Sequence, residues 1–278
     1  MRKSNYKPGD EDPLIENHKY EWLTCLETYE SEKLPNIDEW ELIASDYETA
    51  VYENKKEEEV IIGFRGTDQP KDLYDDYLIA SGNVFPRAIE GFDIVESWMK
   101  KKPESGISLT GHSLGGAIAR EVGKMLLNKM PINRKLVEKE SVAAKGKKRL
   151  KVVTFNAAAP ASSPVVTSKG ETDYHIMYDL ISAWQSPSTI RIDKGTRPKL
   201  TPFESYIPYM WLWKTWENIL PAHSLIMFSK EVKGVIVDPQ TENAEIQNWF
   251  KSLPSGAKQM VLNKLVKNVL NEGIPLIK

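Results

Sequence analysis

The chain has 278 residues, 41% of them hydrophobic and 27% charged, with a formal net charge of −2. That length permits a substantial buried core, and so balanced a charge gives no global attraction for nucleic acid. The single cysteine, Cys25, excludes an internal disulfide, and no apolar run approaches the length of a membrane span.

Charge is unevenly placed, with 1–60 acidic and 134–151 basic. Residues 1–12 lack the apolar centre of a secretory signal, so the expectation is a cytoplasmic or otherwise intracellular protein. In chain order, 1–13 reads as a loose arm. Helical spacing over 14–34 places Trp22, Leu26 and Tyr29 on one face and glutamates on the other, as in a packing helix with Cys25 as a small core residue.

Runs at 40–44, 49–53 and 60–66 read as strands, the last two joined by a charged turn suited to a hairpin. The third, Val60-Ile61-Ile62-Gly63-Phe64, is continuously apolar, as expected of a strand buried on both faces. It ends in Arg65-Gly66-Thr67-Asp68, where the backbone must turn tightly. A short helix is expected over 72–79 and a clearer one over 88–100, where Ile89, Phe92, Val95, Trp98 and Met99 lie near one stripe.

The most informative stretch follows: Thr110-Gly111-His112-Ser113-Leu114-Gly115-Gly116-Ala117. It holds a Gly-X-Ser-X-Gly pattern between a short apolar run and an amphipathic segment that ends before Pro131. A strand turning at once into a helix strains its turning residue, and the flanking glycines leave room for the bend. Ser113 would then stand exposed above a sheet with the N–H of Leu114 behind it, as a nucleophile elbow with an oxyanion donor.

Downstream, 132–149 reads as a solvated basic insertion and 150–157 as a buried strand. A further strand at 174–178 delivers Asp179 at its carboxyl end. The stretch 196–220, with Trp211, Trp213 and Trp216, is equally a flap over the site or the filling of an irregular core. Residues 261–270 are amphipathic, with packing on the domain as the default and peripheral membrane contact as the alternative. The alternation of strands and helices argues a single α/β domain, with sites at the carboxyl ends of its strands.

A serine nucleophile needs a base that is itself oriented by a carboxylate. Of the four histidines, His18 lies in the polar N-terminal region, His112 adjoins the serine and should point elsewhere, and His175 lies within a strand. His223, on a loop before an apolar run, is left as the base. For the acid, the strand exit at Asp179 is preferred to Asp173 and Asp193, which read as polar segments. The order Ser113, Asp179, His223 is that of the α/β-hydrolases. Thr67, after the tight turn, could supply the second oxyanion donor; the plain alternative is a turn with a satisfied arginine.

The segment Val60-Ile61-Ile62-Gly63-Phe64-Arg65-Gly66-Thr67 resembles the oxyanion loop of the class 3 lipases. The segment 110–117 resembles that family's elbow, and Val153-Thr154-Phe155-Asn156-Ala157 with Ala159-Pro160 its following strand. The resemblance spans about 40–228. It implies an α/β-hydrolase fold with a central, mostly parallel sheet flanked by helices, Ser113 as nucleophile, Asp179 as acid, His223 as base, and Thr67 with Leu114 as oxyanion donors. It also implies a lid over 72–79. The chain departs from the family at Glu90-Gly91-Phe92, usually His-Gly-Phe, and at Asp179-Leu180-Ile181-Ser182, where a proline usually follows the acid.

The expected activity is lipid ester hydrolysis through an acyl-enzyme, with no metal or organic cofactor and no nucleic-acid partner. Its partners are a lipid or ester substrate and, through the aromatic and basic stretches, a lipid surface. Phospholipase A1 or short-chain esterase activity is the nearest alternative, and a scaffold or binding protein is the alternative outside enzymes.

Overall fold

A computed structural model of the chain describes residues 17–67, 85–129, 150–158, 170–176, 179, 190–193 and 235–237. The expectations for the N-terminal arm, the lid, the basic insertion, the aromatic stretch, His223 and the C-terminal amphipathic segment lie outside these residues.

One sheet holds nine strands among the described residues, each hydrogen-bonded to the next in sequence. They are β1 (Asn36–Ile37), β2 (Trp40–Ser45), β3 (Thr49–Asn54), β4 (Glu59–Phe64), β5 (Gly106–His112), β6 (Leu150–Phe155), β7 (Glu171–Ile176), β8 (Ile190–Asp193) and β9 (Val235–Val237). Strands β4 to β8 are parallel and form the α/β centre of the sheet. An antiparallel meander, β1 to β4, extends one side and antiparallel β9 the other. The β3–β4 turn is a hairpin as expected. Asn54 Oδ1 accepts the N–H groups of Lys56 and Glu57, and Glu58 takes a left-handed φ of 53° to close it. Strands β1, β8 and β9 were not expected, since two to four residues are too few to show a period.

The helices are α1 (Lys19–Glu27), α2 (Pro86–Lys101) and α3 (Leu114–Lys129). Pro86 opens α2, where its missing N–H costs nothing, and Lys100 and Lys101 close it at the negative end of the helix dipole. Alternation along the strands sorts the core into two sides. On one, Val60, Ile62, Phe64, Ile107 and Leu109 meet Phe92 and Val95 of α2 and Ile118 and Val122 of α3. On the other, Val153, Phe155, Tyr174 and Ile176 meet Cys25 and Tyr29 at the end of α1. Each fully buried aliphatic or Phe side chain contributes about 1.5–3 kcal/mol by leaving water.

Helix α1 corrects the sequence reading. Its glutamates are not all on a solvated face, because Glu21 and Glu27 are buried. The reason lies in β5, which turns Ile107 and Leu109 toward α2 and α3 and Ser108, Thr110 and His112 toward α1. Ser108 Oγ donates to Glu21 Oε1 at 3.0 Å, and Thr110 Oγ1 to the Glu21 carbonyl at 3.2 Å. Burial holds the Glu21 carboxyl above its usual pKa.

His18 is part-buried, with Nδ1 2.7 Å from Tyr174 Oη. Burial, aided by the Lys151 charge, lowers its pKa from 6.5 to about 4. A depressed histidine favours the native state above the unfolded pKa, and that contribution is lost as pH falls from 6.5 to about 4. His18→Gln is therefore expected to flatten the acid limb of stability by up to about 3 kcal/mol. Urea unfolding at pH 7 and pH 4 checks this, and equal acid limbs for the two proteins would sink it.

Candidate active site

The carboxyl ends of β4, β5 and β6 are level with one another. Phe64 pairs with Gly111 and His112 with Phe155, so the chain leaving β4, the turn after β5 and the exit of β6 meet above one edge of the sheet. Ser113 occupies the turn between β5 and α3. Its φ is 56°, a left-handed conformation that costs a non-glycine residue about 1–3 kcal/mol and that the sequence reading required of it.

Packing enforces that strain. The Ser113 N–H donates to Phe155 O at 3.3 Å, and the Ser113 carbonyl accepts from Ala117 N at 3.1 Å and Ala158 N at 2.9 Å. The bond from Ala117 is the first of the helix, so the amides of Leu114, Gly115 and Gly116 precede the helical ladder at its positive end. Glycines flank the serine for steric reasons. A Cβ on Gly111 would lie 2.2 Å from the Gly115 carbonyl carbon, and one on Gly115 would lie 2.1 Å from Phe64 O. The helix thus begins in contact with the end of β4.

Beyond β4, Arg65, Gly66 and Thr67 are buried beside the elbow. The Arg65 guanidinium stacks 4.3 Å from the Tyr47 ring centroid and 5.6 Å from that of Tyr29, and the Arg65 N–H donates to Glu48 O at 2.8 Å. The turn is held by aromatic stacking and backbone bonds, and it brings Thr67 past the end of the strand.

Residues 90–175, spanning α2, the elbow and β5 to β7, match the family described as lipase (class 3). Over those residues the chain is similar to the class 3 lipases. Among solved structures, a triacylglycerol lipase from Penicillium expansum is similar at 15% identity and a TM-score of 0.39, over 59% of this chain and 71% of that one. A lipase from Yarrowia lipolytica is similar at 14% identity and a TM-score of 0.41, over 68% and 82%. A Rhizomucor miehei lipase in complex with its propeptide is similar at 16% identity and a TM-score of 0.35, over 66% and 67%. A comparison with curated protein sequences gives no match.

Ser113, Leu114 and Thr67 fall at the carboxyl edge of the sheet. Asp179 follows β7, its N–H donating to Ile176 O at 3.2 Å and its side chain fully buried. His112 is buried, with Nδ1 3.1 Å from Tyr29 Oη. Asp173 corrects the sequence reading. It stands in β7 with a 2% exposed side chain, receives Arg120 Nη2 at 2.9 Å and the Thr154 hydroxyl, and does not lie in a polar segment.

Three further residues shape the site. Asn156 takes a φ of 45°, which asparagine tolerates better than most. Its Oδ1 accepts the Ile176 N–H at 2.8 Å, which ties the exit of β6 to that of β7 just before Asp179. An asparagine directly after a buried strand was the available signal. Tyr29 and Arg87 are the other two. Arg87 carried a signal as well, because a cation in the first turn of a helix opposes the dipole unless something else holds it.

No described helix is long and apolar enough to cross a membrane. Among the described residues, no cluster of His, Cys, Asp or Glu has the makings of a metal site.

Proposed function

We propose that this protein is a lipase that cleaves acyl esters of lipids through an acyl-enzyme on Ser113, with His223 as base and Asp179 orienting it. The observation that carries the reading is the left-handed Ser113 between β5 and the amino end of α3. In the proposed mechanism the Ser113 hydroxyl attacks the ester carbonyl while His223 takes its proton. The amides of Leu114 and Thr67 hold the oxyanion, and His223 returns the proton to the leaving alcohol. Water, activated by the same base, then releases the fatty acid and the serine.

Lipid esters are preferred to soluble ones because the family match is to lipases. The test compares hydrolysis of p-nitrophenyl butyrate and palmitate, with and without a lipid surface, for wild type, His223→Ala and Asp179→Asn. Faster palmitate hydrolysis at a surface, lost by at least a hundredfold in both variants, supports the lipase. A preference for butyrate in solution turns the reading to a short-chain esterase. Inactivity on both esters, with no labelling by a fluorophosphonate, turns it to a scaffold. Phosphatidylcholine as a third substrate, with release of its sn-1 chain, would identify a phospholipase A1.

A further inference from the structure

We propose that Tyr29 and Arg87 are positioning residues that clamp one peptide unit, Arg65–Gly66, immediately before Thr67. The proposal rests on the hydrolase reading above. The Gly66 N–H donates to Tyr29 Oη at 3.0 Å, and Arg87 Nη2 donates to the Arg65 carbonyl at 3.0 Å. These N–H and C=O groups are the two polar ends of a single planar peptide. Holding both fixes the tilt of that plane, and the tilt sets the direction in which the next amide, Thr67, points.

The two holders come from opposite sides of the sheet. Tyr29 ends the segment that carries α1, and its ring lies in the core beside Cys25. Its hydroxyl also lies 3.1 Å from His112 Nδ1, next to the nucleophile. Burial raises the Tyr29 pKa, so the group stays a neutral hydroxyl that can accept the Gly66 N–H at any working pH. Arg87 sits in the first turn of α2, with Nε 3.4 Å from Glu48 Oε2, and Glu48 offers its carbonyl to the Arg65 N–H. The peptide is therefore gripped from both helical layers.

The clamped unit touches the nucleophile's surroundings. A Cβ on Gly66 would lie 2.2 Å from Tyr29 Oη, 2.9 Å from His112 O and 3.4 Å from Ser113 Cβ. An oxyanion donor is effective because it is already aimed when charge develops, and misplacement by about 1 Å costs on the order of a hundredfold in rate. Tyr29 also occupies the Gly66 N–H. Neither Tyr29 nor Arg87 is placed among the reacting groups; both act through the loop.

The test measures kcat and KM for p-nitrophenyl butyrate in wild type, Tyr29→Phe, Arg87→Met and the double variant, with kcat expressed per active site titrated by a fluorophosphonate. Titration removes any misfolded fraction from the comparison. The clamp predicts that each single variant loses about 10- to 100-fold in kcat with KM within about twofold. It also predicts a double variant that loses less than the product of the two, because both grips hold the same peptide. Amide exchange at Gly66 should quicken in Tyr29→Phe. Single variants whose kcat per titrated site stays within about twofold of an active wild type overturn the clamp alone. A wild type that neither labels nor hydrolyses overturns the hydrolase reading, and the clamp's role with it.

Discussion

Ser113→Ala is expected to abolish fluorophosphonate labelling and to lower ester hydrolysis by about a millionfold, the scale set when a serine nucleophile is removed from an acyl-transfer triad. No acyl-enzyme can form without the hydroxyl, and residual rate enhancement then comes only from binding and the oxyanion amides. The fold should survive. Ser113 is 3% exposed rather than standing exposed as the sequence suggested, and the bonds named above to its N–H and carbonyl use main-chain atoms, which alanine retains. Both residues are L-amino acids with a Cβ, so the left-handed φ of 56° costs them similar strain. Labelling is followed by mass spectrometry and stability by urea unfolding. Undiminished labelling, or hydrolysis within tenfold of wild type at unchanged stability, would move the nucleophile elsewhere.

Arg120→Met is expected to destabilise the protein by about 3–5 kcal/mol. Arg120 Nε donates to Glu171 Oε1 at 2.7 Å and Nη2 to Asp173 Oδ1 at 2.9 Å, with all three side chains at least 97% buried. Burial alone would lower the Arg120 pKa, but the two carboxylates outweigh it and hold the pKa above its usual value. Methionine fills similar volume and leaves two carboxylates in the interior without their cation. Those charges, rather than the lost pair itself, carry the cost. Adding Glu171→Gln and Asp173→Asn should therefore recover much of the loss. Urea midpoints at pH 7 test both steps. A single variant within about 1 kcal/mol of wild type, or a triple variant no better than the single, would refute the account.

The site depends on this network for architecture. Arg120 lies on α3, the helix that follows Ser113, while Glu171 and Asp173 lie on β7, the strand that precedes Asp179. Thr154 of β6 also bonds Asp173, so one cluster links the three elements that carry the elbow, the exit of β6 and Asp179. Asn156 repeats the link one layer higher, at the carboxyl ends of the strands.

The sequence by itself determined whatever depends on local chemistry or period. The apolar run 60–64 could only be a doubly buried strand, and β4 is one. Gly111, Ser113 and Gly115, spaced two apart between a strand and a helix, dictated the elbow, because no residue with a side chain fits either glycine position. The hairpin after β3 was legible in its polar turn for the same local reason.

Only the tertiary structure decided the pairings of distant polar groups. Glu21 meets Ser108, Tyr29 meets Gly66 and Arg120 meets Asp173 across separations of 87, 37 and 53 residues. Apolar periodicity assigns a charged or hydroxyl-bearing residue to the solvated face unless a partner is known, and a partner that far along the chain has no local signature. The glutamates of α1 and Asp173 of β7 therefore read as polar surface in the sequence. Glu21 and Asp173 are buried because the alternation of β5 and β7 presents polar side chains to the helices that cover them.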